Sequence, residues 1–257
     1  MPDAVPSRSH YTDELGLEHW TEGGVSRGRA TIVPEMTVPG TGLVRIGVLA
    51  TLVDMVAGQP PTGAVSPTTD LSVHLARVRP VGSLHLVSRV LKAGRSLLVA
   101  ETLLTADGEP EPFATSLVTF MNRPFVAGEA RPSGARLGQA VAERIGAREL
   151  HPGIVELSPQ ADLSNPHHGT VQGGVMALLA ELAAESLLRR AGPVVATDLD
   201  IRFLNRVKVG PARATARTLI TDPGGWVLAV ALRDAGDSDR LAAHVSIRCV
   251  PAARPGA

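Results

Sequence analysis

Two helical stretches, each apolar on every side but for one acid, restrict this chain more than any other feature. The run from His168 to Glu185, HGTVQGGVMALLAELAAE, opens on a Gly-Gly pair, and between Val175 and Ala184 its only charged residue is Glu181. Arg189, Arg190 and the Gly192-Pro193 pair close it, as helix stop signals do. A carboxylate on a helix apolar all round is costly to bury unless something pairs with it or uses it. The pattern also occurs earlier. GLVRIGVLATLVDMVAG, Gly42 to Gly58, aligns at a shift of 127 residues and sets Val44 on Val171, Gly47 on Gly174 and Asp54 on Glu181. Asp54 is again the only charge in its apolar run, and the copies continue downstream, with Thr69-Asp70-Leu71 matching Thr197-Asp198-Leu199 and Gly82 matching Gly210. The 257 residues therefore read as a duplicated unit of about 100 residues. The N-terminal unit falls at 15–125, a linker at 126–150 and the C-terminal unit at 151–251.

Within the first unit a strand is predicted at 25–33 and a helix over 46–57, then strands near 65–78, 84–93, 96–106 and 113–121, separated by Pro80-Val81-Gly82, Gly94-Arg95 and Asp107-Gly108 turns. The second unit repeats the plan, with a strand near 154–157, a loop at 158–168, the helix, and strands near 195–206, 212–221, 226–233 and 241–250. Short links favour antiparallel neighbours, so each half is expected to be α+β, an antiparallel sheet wrapped around one long helix. Residues 1–20, polar and without period, read as a loosely attached arm, and the linker as a surface crossing with a short helix near 139–147.

Composition excludes several functions. Lysine plus arginine equals aspartate plus glutamate at 25 each, so no net field draws nucleic acid or an anionic membrane. Aromatic residues, at 3%, are too few for base-stacking platforms. No stretch has the ~20 uninterrupted apolar residues of a membrane span. The N-terminus MPDAVPSRSHYTDELG has no apolar core of signal type, and a cytoplasmic location is expected. Cys249, the single cysteine, reads as a small core residue, and His167-His168 as plain loop rather than a metal pair, because no third ligand stands at a recognisable spacing.

The pattern NPHHGTVQGGVMALLAE, followed by a strand TDLDIRFL and a V-x-V-G turn, resembles the hot-dog fold acyl-CoA thioesterases of the PaaI-like group. That group's signature is an Asn, a short gap, Gly-x-x-His-Gly-Gly, and an acid nine residues after the His. GRSLLVAETLLTADG, Gly94 to Gly108, is similar to the third-strand region of the same family. The resemblance spans about 25–125 and 151–250 and implies a double hot-dog, two subunits of the usual dimer fused into one chain. Two positions depart from the pattern. The family His is Gln172 in the second unit and Arg45 in the first, and the first Gly of the pair is Ile46 in the first unit.

Nine residues of helix span ~13 Å, so Glu181 cannot reach a thioester held at the start of its own helix near Gly173; the acid serves a site opened by the other helix. The resemblance implies helices lying side by side and antiparallel, with composite sites. One site joins Asp54 to the loop Asn165–Gly174, and the other joins Glu181 to the loop Thr41–Gly47. The first offers Asp54, Thr68 where the family places a supporting hydroxyl, Gln172, the Gly173 amide and Asn165. The second has Ala196 in place of Thr68, Ile46 in place of glycine and no Asn before it. One working site is expected, and one decayed or specialised. Amides at a helix N-terminus would polarise the thioester carbonyl, and Asp54 would deprotonate a water or attack directly. Arg77, Arg79, Arg206 and Lys208 at strand ends, with Arg95 in a turn, are candidates for the phosphates of coenzyme A. The implied activity is hydrolysis of an acyl-CoA thioester, with coenzyme A present only as part of the substrate; the alternative is a non-catalytic acyl-CoA-binding or sensing module. A hot-dog hydratase is disfavoured, because its Asp and His pair on one loop-helix segment has no counterpart here. Fused units complete the minimal dimer, so both a monomer and a homo-oligomer fit.

Overall fold

A computed structural model of the chain describes residues 9–58, 64–65, 67–122, 125–126, 136–165 and 169–252. Twelve strands form one antiparallel sheet. In the first unit they are β1 (Glu18–Glu22), β2 (Val25–Thr31), β3 (Thr68–Leu75), β4 (Ser83–Ala93), β5 (Leu97–Ala106) and β6 (Pro112–Met121). In the second they are β7 (Arg148–His151), β8 (Ile154–Leu157), β9 (Val194–Phe203), β10 (Ala212–Asp222), β11 (Gly225–Asp234) and β12 (Arg240–Pro251). Their order across the sheet is β1-β2-β4-β5-β6-β3-β9-β12-β11-β10-β8-β7, the second half mirroring the first. Period-two burial marks the strands clearly: in β5, Leu98, Ala100, Thr102, Leu104 and Ala106 point inward while the residues between them are partly exposed.

The seam is the antiparallel pairing of β3 with β9, in which Ser72 faces Asp200, while Asp70 faces Arg202 and His74 faces Asp198. An approximate two-fold axis therefore passes by the Ser72–Asp200 pair, relating the Asp70–Arg202 ion pair (2.9 Å) to the His74–Asp198 contact (3.0 Å). The repeated Asp70 and Asp198 thus join the two halves.

Two long helices lie inside the curved sheet, α1 (Ile46–Ala57) and α2 (Gly173–Leu188). Val48, Leu49, Leu52 and Val53 of α1, and Val175, Leu178, Leu179 and Ala180 of α2, are fully buried. Each large aliphatic side chain hidden this way contributes about 1.5–3 kcal/mol. The helices cross antiparallel where glycine allows it: a Cβ on Gly47 would fall 2.4 Å from Leu178 Cα, and one on Gly174 would fall 2.7 Å from Thr51 Cα. These are the two-fold-related halves of one contact, so the second glycine of the Gly-Gly pair serves helix packing.

For residues 9–20 the structure corrects the reading of a loose arm, and residues 1–8 of it lie outside the described residues. Residues Tyr11–Glu14 form a helical turn, β1 follows, and Tyr11 and Leu15 are buried in the core. The turn has a twin 130 residues on, Val141–Arg144, where Val141 and Ile145 are buried before β7 begins. The structural repeat therefore starts near Tyr11 and Val141, and the second half of the expected linker packs as part of the second unit. Residues 127–135 of that linker and the His167-His168 pair lie outside the described residues. Among the described residues no helix is long and apolar enough to cross a membrane.

Candidate active site

The N-terminus of α2 is capped from within. Gln172 is the residue before the helix, and its Oε1 accepts from the Val175 amide at 3.1 Å. That bond fixes the side chain so that Nε2 turns toward Asp54 Oδ2, 3.5 Å away on α1. The opposite face of Asp54 meets β3, where the Thr68 hydroxyl donates to Oδ1 at 2.6 Å. A shift in the β3–β6 register between Thr68 and Asp70 accompanies this placement, as bulges commonly re-aim a side chain beside a site. Gly173 lies directly opposite the acid: a Cβ there would sit 3.7 Å from Asp54 Oδ2 and 3.1 Å from the Phe203 ring. Asp54 is partly exposed, and burial nevertheless pushes its carboxyl up to about 6, with the Thr68 hydrogen bond pulling the other way.

These groups border a cleft of about 160 Å³ lined by residues of both units. Asp54, Thr68 and Phe120 come from the first, and Asn165, Val171, Gln172, Gly173, Met176, Phe203 and Arg206 from the second. Asn165 stands on a small hairpin, Ser164–Asn165 pairing with Thr170–Val171, that hangs over the start of α2. Thus Asp54, Thr68, Asn165, Gln172 and Gly173 are brought together at one cleft. The cations divide differently. Arg206 lines the cleft, whereas Arg77 pairs with Glu111 and Arg79 with Glu109, Arg95 is exposed in the β4–β5 turn, and Lys208 is exposed outside the lining. Four of the five expected phosphate contacts are therefore not brought to this cleft, because strand register spends two of them on nearby acids and directs the others elsewhere. Among the described residues no His, Cys, Asp and Glu cluster could hold a metal ion.

Glu181 is in a different environment. It is 0% exposed and plugs the N-terminus of α1: Oε2 accepts from the Gly47 amide at 2.8 Å and Oε1 from the Ile46 amide at 3.3 Å. Arg45, the residue equivalent to Gln172, stands 3.7 Å from Glu181 and donates to Glu185 at 2.7 Å. Burial pushes the Glu181 carboxyl up, while Arg45 and the two amides pull it down. Sequence reasoning missed Arg45 as its counter-ion. The signal was present in the exchange of a neutral cap for a cation at the same repeat position.

A sheet wrapped around two antiparallel helices, with a half-buried acid facing the start of the opposite helix, is a hot-dog architecture doubled within one chain. Residues 168–237 match the family model described as the thioesterase superfamily. Solved structures agree along nearly the whole length. The tesB protein of Mycobacterium avium subspecies paratuberculosis superposes with a TM-score of 0.67 at 13% identity, covering 92% of this chain and 96% of that one. A conserved hot-dog protein of unknown function from Alicyclobacillus acidocaldarius gives 0.64 at 13%, covering 95% and 98%. The 12:0-ACP thioesterase of Umbellularia californica gives 0.63 at 9%, covering 89% and 95%. At such identities the likeness establishes the fold. No curated protein sequence matches the chain.

Proposed function

We propose that the chain is a thioester hydrolase with one composite active site, the cleft holding Asp54, and that its substrate is an acyl-CoA. The observation that carries this reading is the relation between the two halves. At the start of α1 the first two amides already hold a carboxylate, that of Glu181. The equivalent amides, at Gly173 and Gly174, begin α2 beside an open cleft, and the first amides of a helix lack partners within it. An anion-accepting pair of donors that faces a cleft suits the developing oxyanion of a thioester under attack.

In this reading the carbonyl sits at the start of α2 and Asp54 supplies the attack by one of two routes. Either it takes a proton from a water that adds to the carbonyl, the C–S bond then breaks and the thiolate leaves with that proton. Or it adds directly, expels the thiolate to form a mixed anhydride, and water then opens the anhydride to the acid and free Asp54. Thr68 and Gln172 hold the carboxylate between them, and Asn165 bounds the same space from the hairpin. The acyl group lies against Phe120, Phe203, Met176 and Val171, and the coenzyme A arm leaves past Arg206, which has no carboxylate partner among the described residues.

The test is release of free thiol from a panel of acyl-CoAs by the purified protein and its Asp54→Asn variant. Acyl groups on carrier protein belong in the panel, because the similar Umbellularia enzyme is described as a 12:0-ACP thioesterase. Turnover abolished by Asp54→Asn supports the reading. Tight binding with no turnover replaces it by the sensing module.

A further inference from the structure

The hairpin that carries Asn165 and leads to Gln172 is gripped from behind by a buried polar cluster that the chemistry above does not use. Arg144, 6% exposed, lies at its centre. Its Nε donates to Glu14 Oε2 at 2.6 Å and its Nη2 to Glu14 Oε1 at 3.0 Å, a two-pronged bond between the twin helical turns of the two units. Nη1 donates to Asp162 at 2.9 Å, in the turn that opens the hairpin, and Nη2 also reaches the Ser9 carbonyl at 2.8 Å. His10 Nε2 contacts the Ser164 carbonyl at 3.0 Å, next to Asn165, while its Nδ1 lies 2.7 Å from the Thr12 hydroxyl. The front of the hairpin is fixed separately: the Thr170 hydroxyl and the Val171 amide both donate to the Val207 carbonyl.

The matching loop of the closed half has no such grip. Arg144 corresponds to Glu14, which is already engaged with Arg144 itself. Asp162 corresponds to Glu35, which has no ion-pair partner among the described residues. Among the described residues the cluster thus stands only behind the loop of the open cleft.

We propose that Arg144, Asp162 and His10 are positioning residues, through which the N-terminal segment of the first unit sets the place of the paired Ser164–Asn165 and Thr170–Val171 strands of the second, and of Gln172 after them. They touch no substrate and act through the hairpin backbone. This inference rests on the reading of the cleft as the active site. A displacement of the order of 1 Å in groups that seat a substrate lowers turnover by up to about a hundredfold.

Two gentle substitutions test it. Asp162→Asn leaves the Arg144–Glu14 bond in place, and His10→Ala removes a contact of a partly buried residue. Each is expected to lower kcat/KM for thioester hydrolysis about tenfold, with an unchanged urea midpoint and with hydrogen exchange accelerated at residues 161–172 alone. Unchanged exchange in that segment, or a loss of activity that only follows a loss of stability, overturns the proposal. If the wild-type protein hydrolyses no thioester, the functional reading fails, and exchange at 161–172 still decides whether the cluster holds the hairpin.

Discussion

Asp54 and Glu181 stand at equivalent places in two copies of one unit, and their surroundings differ at three points. Glu181 is one methylene longer and reaches the first two amides of α1; Asp54 stops short of the start of α2 and leaves a cleft. The residue before the facing helix is Arg45 in one half and Gln172 in the other, so one acid meets a cation and the other a neutral amide already committed to capping. On the strand side Thr68 gives Asp54 a hydroxyl, and Ala196 gives Glu181 none. The closed half joins the units through a buried carboxyl held by two amides beside Arg45. Burial raises both carboxyls, so what separates them is access: the open half keeps its acid beside a cleft with few partners, where a base or nucleophile can meet a substrate.

The sharpest way to break this contrast is to give the open half the longer acid. Asp54→Glu should carry its carboxylate onto the Gly173 and Gly174 amides, reproducing the plug of the other half. Thiol release should fall about 10²–10⁴-fold, the usual contribution of a positioned base, while circular dichroism shows a folded protein. Full activity in this variant would sink the idea that acid length separates the two halves.

The reverse experiment removes the counter-ion of the closed half. Arg45→Met leaves Glu181 buried against two amides alone, and breaking a buried pair from one side typically destabilises by about 3–5 kcal/mol. Urea denaturation should show that loss, with kcat per folded molecule unchanged. The double variant Arg45→Met with Glu181→Leu should recover most of the stability. A change under about 1 kcal/mol for Arg45→Met would mean that Glu181 needs no counter-ion, its carboxyl being held by the two amides or neutralised by a proton.

Asp54 links activity and stability with opposite signs. Its reactive form is the carboxylate, so kcat/KM should fall as pH drops through about 6 and level off above it. A carboxyl whose folded pKa lies above its ordinary value of 3.8 contributes full stability below pH 3.8, and that contribution is lost as pH rises through about 6. Asp54→Asn should therefore stabilise the protein by up to about 3 kcal/mol at pH 8 and by well under about 1 kcal/mol at pH 4, as read from denaturant midpoints. Equal stabilisation at both pH values would show that burial of the charge is not the cause.

The parts of this contrast that could be read before folding are local or repeated. Gly and Pro punctuation and the lone acids mark both helices, and α1 occupies the expected residues Ile46–Ala57. Helix length puts each acid too far from the start of its own helix, and the hot-dog resemblance supplies the antiparallel neighbour that sets Asp54 against Gly173, Gln172 and Asn165. Of the twin turns, Val141–Arg144 falls within the short helix expected near 139–147, whereas Tyr11–Glu14 escaped because one turn is too short for a helical period. Their trace is the pair Leu15-Gly16 and Ile145-Gly146, 130 residues apart, each ending in a glycine at positive φ. The pairing of Arg77 with Glu111 and Arg79 with Glu109 depends on where β3 ends beside β6, a matter of register that composition does not carry.

The smallest effect concerns the cations and separates the cleft from its surroundings. Arg206 is exposed at the rim, so its attraction for a substrate phosphate is screened, and such a contact contributes about 1 kcal/mol or less. Arg206→Ala should then raise KM for an acyl-CoA roughly three- to fivefold without changing kcat, and the gap should narrow as salt is added. Arg77→Ala, which removes a cation already paired with Glu111, should leave KM unchanged. If Arg77 matters and Arg206 does not, the coenzyme A arm leaves along the other half of the sheet, and the closed side must take part in holding the substrate.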